Sequence, residues 1–114
     1  MKLTGENSET YHLKCDHLEQ AQALLQRAGV HGYVIPEGEY AAIVPEGEQF
    51  VLNHRLVKAN TGILLRYYYS EENAFGFDLM ENDAVVSSYE CCWSSGFSIY
   101  DADFSKEAMR RLLG

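Results

Sequence analysis

The stretch Gly62-Ile63-Leu64-Leu65-Arg66-Tyr67-Tyr68-Tyr69-Ser70 (GILLRYYYS) opens on a chain-breaking Gly and then alternates for eight residues. Ile63, Leu65, Tyr67 and Tyr69 fall on one side of an extended chain, and Leu64, Arg66, Tyr68 and Ser70 on the other. That is the two-residue period of a β-strand. Ser70 to Asn73 reads as a polar loop, and Phe75-Gly76-Phe77-Asp78-Leu79-Met80 as the next strand. Glu81-Asn82-Asp83 reads as a three-residue hairpin loop, because Asn and Asp tolerate the left-handed conformation it needs. Such a loop sets Leu79 opposite Val85, Phe77 opposite Ser87 and Phe75 opposite Tyr89, with the aromatics on one face. A two-residue loop would instead oppose Phe75 to Glu90.

Toward the N-terminus, Thr10 to Cys15 alternates as a strand, with Tyr11, Leu13 and Cys15 on one face. Asp16 and Glu19 have the spacing of a capping box. Leu18, Ala21, Leu24, Leu25 and Ala28 form one apolar stripe, and Gly29 supplies a left-handed stop, so a helix is expected over 16–28. Val30 to Ile35 is the following strand, which completes a βαβ unit whose two strands run parallel. Ile35-Pro36-Glu37-Gly38-Glu39 and Val44-Pro45-Glu46-Gly47-Glu48 echo one another, each with Pro at i+1 and Gly at i+3 of a type I turn. Tyr40 to Val44 between them is a strand. Gln49 to Ala59 fits both a strand and a helix, and the strand is preferred here.

Toward the C-terminus, Phe97 to Tyr100 is a short strand and Asp103 caps a final helix through Leu113. The expected fold is therefore α+β. An antiparallel-dominated sheet of six to eight short strands carries two helices on one face, with an N-terminal βαβ unit, a β-meander and a C-terminal helix. Residues 1–114 read as one domain, with 1–9 as a flexible N-terminus.

The 114 residues are 46% hydrophobic, which suits a chain that buries a core. No apolar run reaches the roughly 20 residues of a membrane-spanning helix, and the first residues lack the apolar segment of a signal peptide. Cytoplasmic residence is expected, and three cysteines do not make the even framework of a secreted domain. Nine basic against seventeen acidic residues give a formal charge of −8. With no basic run to neutralise phosphates, nucleic acid and anionic membranes are not expected partners.

Several residues invite chemistry. His12, Cys15 and His17 with Cys91-Cys92 suggest a metal site, but on a strand His12 and Cys15 point to opposite faces, so no metal is expected. The Cys91-Cys92 pair lacks the two-residue spacer and helix N-terminus of a working dithiol. Cys91 is expected inward with Tyr89 and Trp93, and Cys92 outward with Glu90. No nucleophile elbow, phosphate-binding Gly loop, dinucleotide fingerprint or zinc-protease helix is present, and no cofactor or catalytic residue is assigned. Glu71-Glu72 and Asp101/Asp103 are carboxylate pairs with the character of solvated loops.

The remaining candidate is a binding surface. With Tyr67 and Tyr69 in the core, Tyr68 would be presented beside the acidic loop formed by Glu71, Glu72 and Asn73, as an aromatic anchor next to charges. If helices cover both faces of the sheet, Tyr68 is instead buried with its hydroxyl satisfied. The expected function is a non-catalytic, acidic protein-binding module of inhibitor, immunity or regulatory type, whose partner is another protein of basic character. Homodimerisation through a free sheet edge is a further option. The alternative is a small-molecule-binding or enzymatic domain with a pocket between sheet and helices, using His54, Arg66, Asp78 and Tyr89.

Overall fold

The computed structural model describes residues 7–114. The described residues form β1 (Asn7–Lys14), α1 (Leu18–Ala28), β2 (Gly32–Glu37), β3 (Tyr40–Pro45), α2 (His54–Ala59), β4 (Ile63–Ser70), β5 (Ala74–Glu81), β6 (Ala84–Cys92), β7 (Ser98–Tyr100) and α3 (Lys106–Leu113). All seven strands join one sheet in the order β2-β3-β1-β4-β5-β6-β7, and every neighbouring pair is antiparallel. The fold is thus α+β with an antiparallel sheet, as the alternation predicts. Of the residues expected to be a flexible N-terminus, 1–6 lie outside the described residues, and 7–9 belong to β1, paired with β4.

The strand–helix–strand start is present in a modified form. β1 and β2 run in the same direction, but β3 returns through a two-residue turn at Gly38-Glu39 and inserts between them. Gly38 takes φ 66°, which a tight hairpin turn requires and only Gly adopts freely. Pro36 is therefore a strand residue, not the start of a turn. It is tolerated because β2 is an edge strand and needs no N–H at that position. Helix α1 begins one residue later than the capping-box spacing implied. Gln20, in place of Glu19, reaches back, and its Oε1 accepts from the backbone N–H of Asp16 (2.9 Å) and His17 (3.0 Å).

The preference for a strand over residues 49–59 is overturned. Asn53 caps a short helix by accepting the Leu56 N–H on its Oδ1 (3.1 Å), while its own N–H donates to the Tyr11 hydroxyl (2.8 Å). Leu56 and Val57, adjacent in the chain, are both buried, which a strand with one buried face would not allow. The last helix likewise starts later than expected. Ser105, not Asp103, is its cap, with Oγ accepting the Ala108 N–H (3.1 Å), whereas the Asp103 carbonyl accepts the Ser88 N–H.

The helices cover both faces of the sheet, not one. On the first face α1 and α2 pack Leu24, Leu25, Leu56 and Val57 against Tyr11, Leu13, Ile43, Leu64 and Met80. Each such fully buried side chain contributes about 1.5–3 kcal/mol. On the second face α3 packs Ala108 and Leu112 against Leu79, flanked by Leu65, Val86 and Met109.

The β5–β6 register differs from expectation. Only Asn82 and Asp83 form the turn, with Asn82 at φ 54°, and Glu81 pairs with Ala84. A bulge then shifts the pairing between Leu79 and Met80, so Phe77 opposes Tyr89 and Phe75 opposes Cys91. The extra residue restores the parity that a two-residue loop alone would have lost, and the aromatics stay on one face.

Candidate functional site

All three helices lie over the part of the sheet nearest Leu64 and Leu79, leaving the other end of β4, β5 and β6 without a helical cover on either face. Both surfaces are built from cross-strand rows; the first keeps Arg66, Tyr68, Ser70 and Ala74 buried, and the second is the more open.

On the second face, one row is Tyr67–Phe77–Tyr89 and the next is Tyr69–Phe75–Cys91–Ile99. The rings form a continuous chain. Tyr69 and Phe75 lie 6.4 and 6.2 Å from Trp93, Phe75 lies 6.0 Å from Tyr89, and Phe77 stacks on Tyr89 at 5.9 Å. Phe104, from the loop before α3, meets Phe77 and Tyr89 edge-on. These separations lie within the range where aromatic pairs attract beyond their area burial. Tyr67 and Phe104 keep 42% and 44% of their surface exposed, and the rings of Tyr69, Phe75, Phe77, Tyr89 and Trp93 between them are half-buried, so the strip is partly open to solvent.

Trp93 connects this strip to the acidic turn. Its indole N–H donates to the Glu71 carbonyl (2.8 Å) and its backbone N–H to the Asn73 carbonyl (2.8 Å). Asn73 is held in turn by its side-chain amide donating to Ser70 Oγ (2.9 Å). Glu71, Glu72 and Asn73 are exposed at the rim of the strip.

Tyr68 does not join them. It points to the first face with only 8% of its surface exposed, so its expected role as a presented anchor is corrected in favour of the buried arrangement. Its ring lies across the sheet over Gly76, and its hydroxyl donates to Glu90 Oε2 (2.5 Å), two strands away. A Cβ at Gly76 would fall inside 3.0 Å of both the Tyr68 hydroxyl and the Tyr89 carbonyl, so the missing side chain creates the space. Burial, reinforced by the bond to Glu90, raises the Tyr68 hydroxyl above its ordinary range. The Arg66 guanidinium sits 4.2 Å from the ring centre.

Arg66 is buried and paired twice, with Nε donating to Glu9 (2.5 Å) and Nη1 to Asp78 (2.7 Å). Burial alone would lower its pKa, but the two carboxylates outweigh that and raise it, so its charge is permanent and internally used. Hollows of about 460 Å³ and 440 Å³ flank Tyr68 and Glu90, the first reaching Phe50 and Cys92 and the second Ser88 and Tyr100.

Of the residues of the alternative reading, Arg66, Asp78 and Tyr89 line the 440 Å³ hollow together, and His54 does not join them. Arg66 and Asp78 are an ion pair on the first face, and Tyr89 has its ring on the second. His54 lines a separate hollow beside His31 and Arg55. Cys91 and Cys92 are free and project to opposite faces, Cys91 buried and Cys92 half-buried beside Glu90. Burial and a hydrogen bond to Glu90 hold the Cys92 thiol above its ordinary range, which keeps it protonated and weakly nucleophilic. His12 pairs with Glu37 (2.7 Å), while Cys15 packs against the core under α1. Among the described residues no three His, Cys, Asp or Glu side chains come together as metal ligands. Among the described residues no helix is long and apolar enough to cross a membrane.

Sequence reasoning missed Glu9 and Glu90 as the acceptors that fix Arg66 and Tyr68. One signal could have found Glu90. A Gly inside a strand pattern marks close approach by another group, and Gly76 stands between Tyr68 and Glu90 in one cross-strand row. Comparison with protein-family models, with curated proteins and with solved structures returns no match for this chain.

Proposed function

We propose that the chain is a non-catalytic, cytoplasmic protein-binding module of inhibitor, immunity or regulatory type whose partner is a basic protein. One observation carries this reading: a contiguous, half-exposed aromatic strip, Tyr69–Trp93–Phe75–Tyr89–Phe77–Phe104, rimmed by Glu71, Glu72 and Asn73. Exposed apolar patches with polar rims are characteristic of interaction sites, and carboxylates at the rim favour a cationic partner. The binding residues are then the acidic turn together with this strip, and Tyr68 acts beneath the opposite face as support.

Proximity cross-linking in cells tests it, comparing wild type with Tyr67→Ala/Phe104→Ala and with Glu71→Lys/Glu72→Lys. A partner captured by wild type and by Tyr68→Phe, but lost from both double variants, supports the reading. Equal capture by all four proteins removes it. A second reading, a small ligand on the first face, is favoured by the two hollows that meet at Tyr68 and Glu90.

A further inference from the structure

The charge of the chain is concentrated in one interval. From residue 67 to residue 105 there are eight carboxylates and no Lys or Arg, while the rest of the chain balances nine acids with nine bases. This interval spans the end of β4, all of β5, β6 and β7, and the loop before α3, so the acidic excess lies on one half of the sheet, where Arg66 and Arg111 offset only Asp78 and Glu81.

That half ends in a short edge strand that carries neither Pro nor Lys. The two edge strands of the sheet are β2 and β7. β2 contains Pro36, which removes a backbone donor and blocks pairing with an added strand. β7 contains neither Pro nor Lys, and its pairing to β6, Glu90 with Tyr100, Cys91 with Ile99 and Cys92 with Ser98, has no register shift. Phe97, Ile99 and Tyr100 expose 69%, 49% and 60% of their surface. Ile99 continues the row that begins with Tyr69 and Phe75 on the aromatic face. Tyr100 continues the row of Tyr68, Gly76 and Glu90 on the other face. Asp101 and Asp103, both exposed, follow directly.

We propose that β7 is the docking edge for an extended basic segment of the partner protein, which adds antiparallel or parallel to it as an eighth strand. This deepens the protein-binding reading and rests on it. Edge addition takes its affinity from backbone hydrogen bonds and its specificity from alternate side chains. Here those side chains fall beside Ile99 and the aromatic strip on one face and beside Tyr100 and Glu90 on the other. Arg or Lys at the second set meets an aromatic ring and a carboxylate together, a favourable setting for a cation. A second copy of this chain is the poorer occupant, because edge-to-edge pairing would bring together two half-sheets that are both net acidic.

The probe is a blocked peptide alternating Arg and Val over five residues, titrated into the ¹⁵N-labelled full chain at low salt. Controls replace Val by Pro, which keeps the charge but cannot form a strand, or Arg by Glu. Amide shifts centred on Phe97 to Tyr100, weakened about tenfold or more by either control and by Ile99→Pro, are expected. Ile99→Lys keeps the backbone donor and should weaken binding as well, which covers the case where Ile99→Pro disturbs β7. Equal effects from the Val and Pro peptides, or no shift at millimolar peptide, overturn the proposal. Shifts confined to the aromatic strip and Glu71–Asn73 also overturn it while leaving the protein-binding reading in place. Loss of partner capture by the strip variants is judged separately, so the two failures are distinguishable.

Discussion

Gly76 is the residue on which the first face turns. Its lack of a side chain lets the Tyr68 ring lie flat, cover Arg66 and reach Glu90. Gly76→Ala should therefore displace Tyr68 and cost about 1–3 kcal/mol through overpacking. Urea unfolding measures this, and a variant as stable as wild type would show that the ring has another resting place. The same position explains what the alternation of 63–70 could and could not reveal. Period-two patterning identifies two sets of side chains but not which set is interior. Here helices cover both faces, so Leu64 and Leu65 are each packed against a helix layer. Three consecutive tyrosines then carry no mark of which one is buried; the glycine across the strand was the available mark.

At the level of elements, the long strands were readable because their periodicity extends over six to eight residues, whereas the connections depended on single capping atoms. α2 exists because Asn53 accepts one N–H and donates another to Tyr11, a contact 42 positions away that local sequence cannot express. The β5–β6 hairpin kept its aromatic face through a bulge, which periodicity alone does not specify. α3 is short and depends on the sheet beneath it. Buried Ser87 accepts the backbone N–H of the cap residue Ser105 on its Oγ (2.8 Å). Ser87→Ala removes the acceptor and leaves that N–H unpaired at the helix start, at a cost of about 1–3 kcal/mol. Amide exchange over Lys106–Leu113 should accelerate in this variant more than exchange in β1 or β4. Uniform acceleration, or none, would mean that packing alone holds the helix.

For the whole molecule, two buried phenols set an alkaline limit. Burial pushes the Tyr11 hydroxyl up to about 12, and Tyr68 is raised too, whereas tyrosines in an unfolded chain ionise near 10. As pH rises through about 10 the unfolded state releases these protons first, so folding stability is fully present below that value and falls toward about 12. Urea unfolding between pH 9 and 12 should show this decline, and a Tyr11→Phe/Tyr68→Phe variant should lose much of its slope. An unchanged slope would assign the decline to other groups. A separate consequence follows from the interior position of β1, third in the order of seven strands. Tyr11 pairs with Ile43 on one side and Arg66 on the other, 32 and 55 positions later in the chain. During synthesis this interior strand has no neighbour until β3 emerges, and lacks its second until β4 does. Assembly therefore waits on loop closure between distant segments, the kind of topology that folds slowly for its size. The C-terminal meander, with its neighbours adjacent in sequence, has no such delay.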